Sequence, residues 1–295
     1  MGTFGAYSAA KKTVTSAPPP VASFIAFGDS GSGLSPQRQL AAQMLAQYVR
    51  APFTTALVLG DIIYETGDIR KYGAARYRDV YAPLMDKGVQ FRPVLGNHDV
   101  LLGFKPAMLT FYGMPGRYYQ FRQGPVAFFA IDTNITHDAL QRQWLDKALA
   151  ASDAPWKVVY GHHPLYSSGE HGASADLQRW LQPVFRQHGV ALYLCGHDHD
   201  YERMGPIEGV TYIVSGGGGA SLRKFSNRLA PQSQARARAY HFLRGEATPQ
   251  ALSVSAIGLD GQVLDAFTLR AAPVALPKPT HKPAAPKKAV GSGAK

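Results

Sequence analysis

Short apolar runs alternate along the chain with longer stretches in which apolar positions recur every three or four residues. The short runs are rich in β-branched and aromatic residues and predict buried strands, and the longer stretches predict amphipathic helices. The runs that fit a strand are VASFIAFGD, TTALVLGD, QFRPVLGNHD, PVAFFAID, WKVVYGHHP, VALYLCGHDH and GVTYIVSGGG. Strands that alternate with helices are typical of an α/β fold.

The helical pattern predicts four helices, with Asp138 as the N-cap of the third. Their ranges are 36–50, 72–87, 138–151 and 174–188. Near the end, ALSVSAIGLDGQVLDAFTLR alternates apolar and polar positions around an Asp260-Gly261 turn, which predicts an antiparallel hairpin. The pattern therefore predicts an α/β (α+β) fold, a layered sandwich of two mixed sheets flanked by helices.

Composition allows a large core, since 45% of the 295 residues are hydrophobic and only 17% are charged. We expect one catalytic domain over 21–271, a flexible segment over 1–20 and a disordered tail rich in Lys, Pro and Ala over 272–295. Segment 1–20 shows no apolar run long enough for a signal peptide, and no stretch is long enough to span a membrane.

The net charge of +11 is mostly a property of the two ends, which hold seven lysines and no acidic residue. Within the body, stretch 221–244 is basic and carries no Asp or Glu. That stretch is either a solvated surface or a positive rim that attracts phosphorylated anions. We expect no specific binding of nucleic acid. Because Cys195 is the single cysteine, metal ligands must come from His, Asp, Asn or Tyr.

Five polar blocks follow predicted strands directly, each beginning with glycine. They are GD at 28–29, GD at 60–61, GNHD at 96–99, GHH at 161–163 and GHDH at 196–199. Ligands of α/β proteins collect at the carboxyl ends of strands, so these turns are expected to converge on one crevice. A single such block is commonly only a turn, but five at strand ends, three of them with histidine, indicate a shared site.

Two cations about 3.5–4 Å apart, with a carboxylate between them, can activate water and neutralise a phosphoryl group. The blocks supply suitable nitrogen and oxygen ligands for such a pair. The candidate ligands are Asp29, Asp61, Asn97, His162, His197 and His199.

In this order the blocks resemble those of the calcineurin-like metallophosphoesterase family, and most closely the purple acid phosphatases of the small, single-domain, tartrate-resistant type. The first block, GDSG, places Gly31 where most of the family has a metal-binding histidine. The second, GDIIY, places Tyr64 three residues after Asp61, and the fourth, VVYGHHP, is followed by SSGEHG. The resemblance covers about residues 22–270.

The resemblance implies a ferric ion held by Asp29, Tyr64 and His199. It also implies a divalent ion, Fe2+, Zn2+ or Mn2+, held by Asn97, His162 and His197, with Asp61 as the bridge. Tyrosinate is a hard anionic ligand that suits a trivalent ion. The implied activity is hydrolysis of phosphomonoesters, in small molecules or proteins, by in-line attack of a metal-bound hydroxide.

The resemblance further implies that His98 and His171 hold the phosphate and protonate the leaving group. Asp99 is expected to accept a hydrogen bond from the His98 ring, and Glu170 to share the role of His171. His163 is expected to line the pocket. The remaining histidines match no block and are predicted to be surface or structural residues: His137, His188, His241 and His281.

Three further expectations come from comparison with that family. The connection over 132–138 is short, which implies an open site and no activation by proteolysis. A secreted or periplasmic location is implied as well. A monomer is expected.

Three alternative functions remain open. The same metals would serve a phosphodiesterase, phospholipase or nucleotidase. A GDSL-type serine esterase would use Ser30, but the C-terminal third lacks the late Asp-x-x-His pair that this enzyme class requires. A metal-binding scaffold without activity is the third alternative.

Overall fold

A computed structural model describes residues 21–226 and 229–271. The predicted flexible segment 1–20 and the predicted tail 272–295 lie outside the described residues. The strands are β1 Ala22–Phe27, β2 Thr55–Val58, β3 Gln90–Pro93, β4 Tyr119–Gln123, β5 Val126–Ala130, β6 Trp156–Tyr160, β7 Leu192–Cys195, β8 Tyr201–Ile207, β9 Val210–Ser215, β10 Ser233–Ala237, β11 His241–Ala247, β12 Ala251–Gly258 and β13 Val263–Arg270.

The helices include one segment with π-type hydrogen bonding, Ala74–Arg78. The α-helices are α1 Ser35–Arg50, α2 Ile69–Gly73, α3 Asp79–Met85, α4 Pro106–Tyr112, α5 Ala139–Ala151 and α6 Ala175–His188. Over the described ranges, none of these helices has the length and apolar character needed to cross a membrane.

The strands form two mixed sheets, which confirms the predicted fold class. One sheet has the order β13-β12-β11-β1-β2-β3 and the other β10-β8-β9-β7-β6-β5-β4. Strands β1 to β3 run parallel, and so do β5, β6, β7 and β9. The outer strands pair antiparallel, including the predicted β12–β13 hairpin.

The main core lies between the sheets, where large aromatic side chains interdigitate. Phe24 of β1 and Phe128 of β5 meet edge to face with their ring centroids 5.1 Å apart, and both are fully buried. A second apolar cluster lies under α5 and α6, where Leu145 and Phe185 are fully buried. Burial of such side chains contributes about 1.5–3 kcal/mol each, so the two cores hold the sheets and helices together.

The predicted strands and three of the predicted helices are confirmed. Side chains of Asp138 and Ser174 cap α5 and α6 by accepting from the backbone N–H groups of Gln141 and Leu177. The predicted helix over 72–87 is wrong as a single helix, because it consists of α2, the π segment and α3 in succession. The sequence patterns did not predict α4, β4, β8, β10 or β11.

Both sets of parallel strands end at the same side of the molecule. In the first sheet Phe27 pairs with Val58 and Val58 with Pro93, so the turns after β1, β2 and β3 lie next to each other. In the second sheet the turns after β6, β7 and β9 are aligned in the same way. The five polar blocks are therefore gathered at one edge, as predicted.

The connection from β5 to α5 is short, as predicted, and is held by Gln141. This side chain is fully buried, accepts from Asp132 N at 2.7 Å and donates to the carbonyl of Asp132 at 3.0 Å. The carboxylate of Asp132 pairs with Arg117 at 2.6 Å. These bonds satisfy buried backbone groups and fix the path of the connection.

Replacing Gln141 by leucine is expected to lower the free energy of unfolding by about 2–4 kcal/mol, because two buried backbone groups of Asp132 lose their partner. Urea denaturation measures the change. The matched control is Gln143→Leu on the exposed side of the same helix, which should change the value by less than about 0.5 kcal/mol. Equal effects of the two substitutions would contradict this role of Gln141.

Candidate functional site

Three residues of the polar blocks have left-handed backbone conformations that are uncommon for residues other than glycine. The φ angles are 57° at Asp29, 49° at Asp61 and 73° at His197. Strained backbone of this kind concentrates at functional sites, where the surrounding structure holds it in place. Each of the three turns redirects the chain at the end of its strand, so that the side chain enters the crevice.

At two positions, the glycine before the polar residue is required for steric reasons. Gly60 has a φ of 86°, which only glycine adopts readily. At Gly96, a Cβ atom would overlap the carboxylate of Asp61. The close approach of the turns therefore depends on the missing side chains.

The first cluster of site residues is the tyrosine group, consisting of Asp29, Tyr64 and His199. The Tyr64 hydroxyl lies 3.0 Å from Asp29 Oδ1 and 3.0 Å from His199 Nε2. His199 Nε2 is also 3.5 Å from Asp29 Oδ1. Three polar atoms from three different turns thus meet at one point, which could hold one cation.

The second cluster is the asparagine group, consisting of Asn97, His162 and His197. Asn97 Oδ1 lies 3.0 Å from His162 Nε2 and 3.1 Å from His197 Nδ1. The two ring nitrogens are 3.3 Å apart. This group could hold a second cation.

Asp61 lies between the two groups and is almost completely buried. Its Oδ1 atom is 3.5 Å from His162 Nε2 in the asparagine group. After burial and the charge of Asp29, the charge of Asp61 also raises the pKa of the Tyr64 hydroxyl in the tyrosine group. One ligand atom each of Asp29, Asp61 and His162 lies within 4.8 Å of the others, so the carboxylate is placed where a bridge between two ions would be.

The protonation of the histidines suits metal binding. His162 Nδ1 lies 2.8 Å from the carbonyl of Leu59, and His199 Nδ1 lies 2.7 Å from that of Ser221. A carbonyl only accepts, so each Nδ1 carries a proton, and in the neutral ring each Nε2 turns a lone pair to the cluster. Lone pairs that converge without enough protons to share are the arrangement a cation completes.

Charges within the cluster shift several pKa values. Burial alone would raise the pKa of Asp29, but the hydrogen bond to His199 and the charges of nearby histidines lower it. Burial opposes the charge on His162 as well, yet Asp61 and Asp29 raise its pKa. Burial, followed by Asp29 and Asp61, raises the pKa of Tyr64 far above its ordinary value. The phenol therefore keeps its proton unless a cation replaces it.

The expectation that Asp99 accepts a hydrogen bond from the His98 ring is wrong. Asp99 is fully buried and accepts from the backbone N–H groups of Ile62, Ile63 and Gly96 at 2.8–3.1 Å. Burial, followed by the charge of Asp61, raises its pKa to about 7. Asp99 therefore fixes the turn that carries Asp61.

His98 is fixed by other contacts. Its backbone N–H donates to Asp61 Oδ1 at 2.9 Å, and its Nδ1 lies 2.7 Å from the carbonyl of Glu65. Its ring packs on Tyr64 with the centroids 4.6 Å apart. The tautomer is thus set by Glu65, and Nε2 is the ring atom left for other contacts.

His171 and His163 flank the asparagine group from the other side. The His171 ring stacks on that of His197 at 4.2 Å, and the His163 ring lies 4.5 Å from it. His171 is exposed, and its Nε2 faces Arg223 Nη1. Burial, followed by the charge of His162, lowers the pKa of His163 to about 3, so this ring is neutral. Glu170 is exposed and lies 3.8 Å from Arg223.

Two residues that the sequence patterns did not single out belong to this neighbourhood. Asp198 is fully buried and accepts from His171 N at 2.8 Å and from the Ser167 hydroxyl, so it holds the loop of His171. Its position between His197 and His199 was the only available signal. Arg223 was noted only as part of basic stretch 221–244. The structure divides this stretch, since Arg244 lies in β11 and donates to the carbonyl of Ala51 at the end of α1.

A cavity of about 440 Å³ opens beside the tyrosine group. Its lining includes His98, His199 and two arginines. The lining residues are Ser32, Leu34, Tyr64, Glu65, Arg76, His98, His199, Ala220, Ser221 and Arg223.

Ser30, the candidate nucleophile of the esterase alternative, is fully buried. Among the described residues, no histidine forms a hydrogen bond with its hydroxyl. The geometry therefore lacks the base that such an enzyme needs.

Comparison with known proteins agrees with this geometry. The family model for calcineurin-like phosphoesterases matches residues 22–201. Tartrate-resistant acid phosphatase type 5 of Sus scrofa is 30% identical over 300 residues, covering 84% of this chain and 86% of the relative. Purple acid phosphatase 4 of Arabidopsis thaliana is 29% identical, covering 75% of each. The chain belongs to the calcineurin-like phosphoesterase family. Within that family it groups with the purple acid phosphatases.

Solved structures share the fold. Purple acid phosphatase PPD1 from yellow lupin (Lupinus luteus) seeds has a TM-score of 0.70 at 21% identity, over 86% of this chain and 54% of that one. GAP50, described as the anchor in the inner membrane complex of Plasmodium, has a TM-score of 0.75 at 22% identity, over 86% and 90%. At these identities the likeness concerns the fold.

His241 is a buried structural residue behind the cluster. Its Nε2 lies 2.9 Å from the Ser215 hydroxyl and its Nδ1 lies 2.9 Å from the carbonyl of Ala239, so both ring nitrogens have partners while the ring is neutral. Burial lowers its pKa to about 4. Because the unfolded state takes up a proton near the ordinary value and the folded state does not, His241 makes the protein less stable as the pH falls from about 6.5 towards 4.

His241→Gln is expected to reduce the loss of stability between pH 7.5 and pH 5 by about 2 kcal/mol relative to the original protein. Urea denaturation at the two pH values gives this difference. The control is His137→Gln, which makes the same substitution at an exposed histidine. An unaltered pH dependence in His241→Gln would show that the folded state takes up the proton as readily as the unfolded one.

Proposed function

We propose that this protein is a dinuclear-metal acid phosphatase that hydrolyses phosphomonoesters. The observation that carries the proposal is the convergence of seven side chains in two groups that share Asp61. In the tyrosine group, the Tyr64 hydroxyl is 3.0 Å from both Asp29 and His199. A tyrosine hydroxyl at the centre of a ligand set favours a trivalent ion, because tyrosinate is a hard anion.

The tyrosine group would hold Fe3+, and the asparagine group would hold a divalent ion, Fe2+, Zn2+ or Mn2+. Asp61 would bridge the two ions. When bound, the metals would lower the pKa of a water molecule and neutralise charge on the phosphoryl group. Side chains around the cluster would bind the substrate phosphate and protonate the leaving group.

We propose His98 as the general acid that protonates the leaving group. Its Nδ1 is held by the Glu65 carbonyl, and its ring lines the cavity beside Tyr64. A proton on Nε2 would therefore be the one transferred to the departing oxygen. His171 is less suitable, because its Nε2 faces Arg223 Nη1, which can only donate, so this nitrogen is an acceptor. Its proposed role is to hold the substrate phosphate.

Tyr64→Phe is expected to abolish the visible absorption that a tyrosinate gives on iron(III) and to lower the iron content of the purified protein. Metal analysis and an absorption spectrum of concentrated protein measure both. Tyr118→Phe is the matched control, since Tyr118 packs on Trp144 away from the cluster. A colourless original protein with full activity would contradict the iron assignment and leave the fold and the metal-dependent activity in place.

His98→Asn is expected to reduce kcat by about 100-fold for alkyl phosphates, because their leaving group needs a proton. For 4-nitrophenyl phosphate, whose leaving group is stable as an anion, the reduction should be several-fold smaller. The steady-state rates of both substrates are compared at one pH, with His137→Gln as the control. Equal losses for both substrates would argue against proton transfer by His98.

A panel of matched mono- and diesters separates the proposed activity from that of a phosphodiesterase. Higher kcat/KM for the diesters would overturn the preference for monoesters. Export from the cell and a monomeric state remain predictions from the sequence.

A further inference from the structure

The backbone that carries Arg223 is held rigidly next to the metal cluster. Its N–H donates to the carbonyl of His199 at 3.2 Å. The side chain of Arg238 donates to the carbonyls of Arg223 and Leu222 at 3.1 and 3.2 Å. The backbone of Arg223 is therefore fixed next to His199, one of the proposed metal ligands.

Neighbouring residues contact only some of the hydrogen-bond donors of the Arg223 guanidinium. Nη1 contacts His171 Nε2 and lies 3.8 Å from Glu170 Oε1. Within 21–226 and 229–271, Nη2 and Nε have no hydrogen-bond partner. Glu170 is 61% exposed, so water screens its charge and it offsets only part of the positive charge. As far as the described residues are concerned, two donor nitrogens of Arg223 therefore remain for a ligand in the cavity.

Arg76 is a second arginine in the wall of the same cavity. It belongs to the π segment, a rare geometry that is frequent at functional sites. Its guanidinium lies 4.0 Å from the ring centroid of Tyr72, and Nη1 donates to the carbonyl of Tyr64. The Arg76 carbonyl accepts from Gln37 at 2.6 Å. Its Nη2 likewise lacks a partner among the described residues.

We propose that the cavity binds a second phosphoryl group carried by the leaving group of the substrate, with Arg223 as the main specificity-determining residue and Arg76 as its assistant. This proposal rests on the proposed function. An arginine fork matches phosphate oxygens in geometry and charge, and such bonds are stronger than neutral ones. A leaving group without charge would give these donors no partner.

The other charged groups around the cavity agree with this preference. Glu65 is the carboxylate in the lining, and it is exposed to solvent. Asp29 and Asp61 face the cluster and would be neutralised by the metals. The net field at the leaving-group end is therefore positive, and it would attract a second anionic group.

The test compares butyl phosphate with butane-1,4-diol bisphosphate, whose leaving groups have nearly equal basicity. After correction for its two reactive ends, the bisphosphate should have a kcat/KM at least about 10-fold higher, mainly through a lower KM. In Arg223→Met this ratio should fall by about 10-fold. Arg223→Lys should restore part of it, because the charge returns without the fork.

Lys224→Met is the matched control, since it removes the same charge from the next residue, which is exposed and lies outside the cavity lining. The ratio should stay as in the original protein. A ratio near one in the original protein, or an unchanged ratio in Arg223→Met, would overturn the proposed specificity. Hydrolysis of butyl phosphate in the same assay would still support the proposed function. An equal fall in Lys224→Met would assign the preference to the general field and overturn the role of Arg223. Hydrolysis of neither substrate would overturn both proposals.

Discussion

The two sheets are joined at their carboxyl ends by hydrogen bonds around Gly28 and Asp29, and the site depends on that junction. Gly28 donates to the carbonyl of Ser215 at 2.9 Å and accepts from Gly218 at 2.9 Å. Asp29 accepts from the backbone of His197 at 2.8 Å. Since one proposed ligand set takes Asp29 and Tyr64 from the first sheet and His199 from the second, its geometry exists only while the sheets keep this relative position.

Buried acidic groups around the cluster serve mainly to position the loops. Asp99 holds the turn of Asp61, and Asp198 holds the loop of His171. Glu202, also fully buried, accepts from the backbone of Ser168 and from the Ser233 hydroxyl, which joins that loop to β10. Buried carboxylates that accept several hydrogen bonds cost less to bury than free ones, so the protein can place them next to a charged centre.

Much of the fold and the central residues of the site could be predicted, because each depends on local signals. Strand ends followed by glycine and a metal-binding residue are visible in any one block, and β1 and β2 fit the pattern of buried strands. Strand β11 escaped prediction because Arg244 and Glu246 interrupt its apolar run, although they satisfy each other at 2.8 Å. The partner of Asp99 and the position of Arg223 follow from tertiary contacts between distant segments, for which the sequence offered no spacing rule.

Gly31 and Tyr64 hold the turns after β1 and β2 against each other. Gly31 donates to the carbonyl of Asp61 and accepts from Tyr64 N at 3.0 Å, and a Cβ atom at this position would overlap the carbonyl of Ile62. A histidine therefore cannot be introduced at Gly31 by one substitution while this backbone path is kept. Any residue with a side chain at position 31 would therefore require the turns after β1 and β2 to shift together, and with them Asp29, Asp61 and Tyr64.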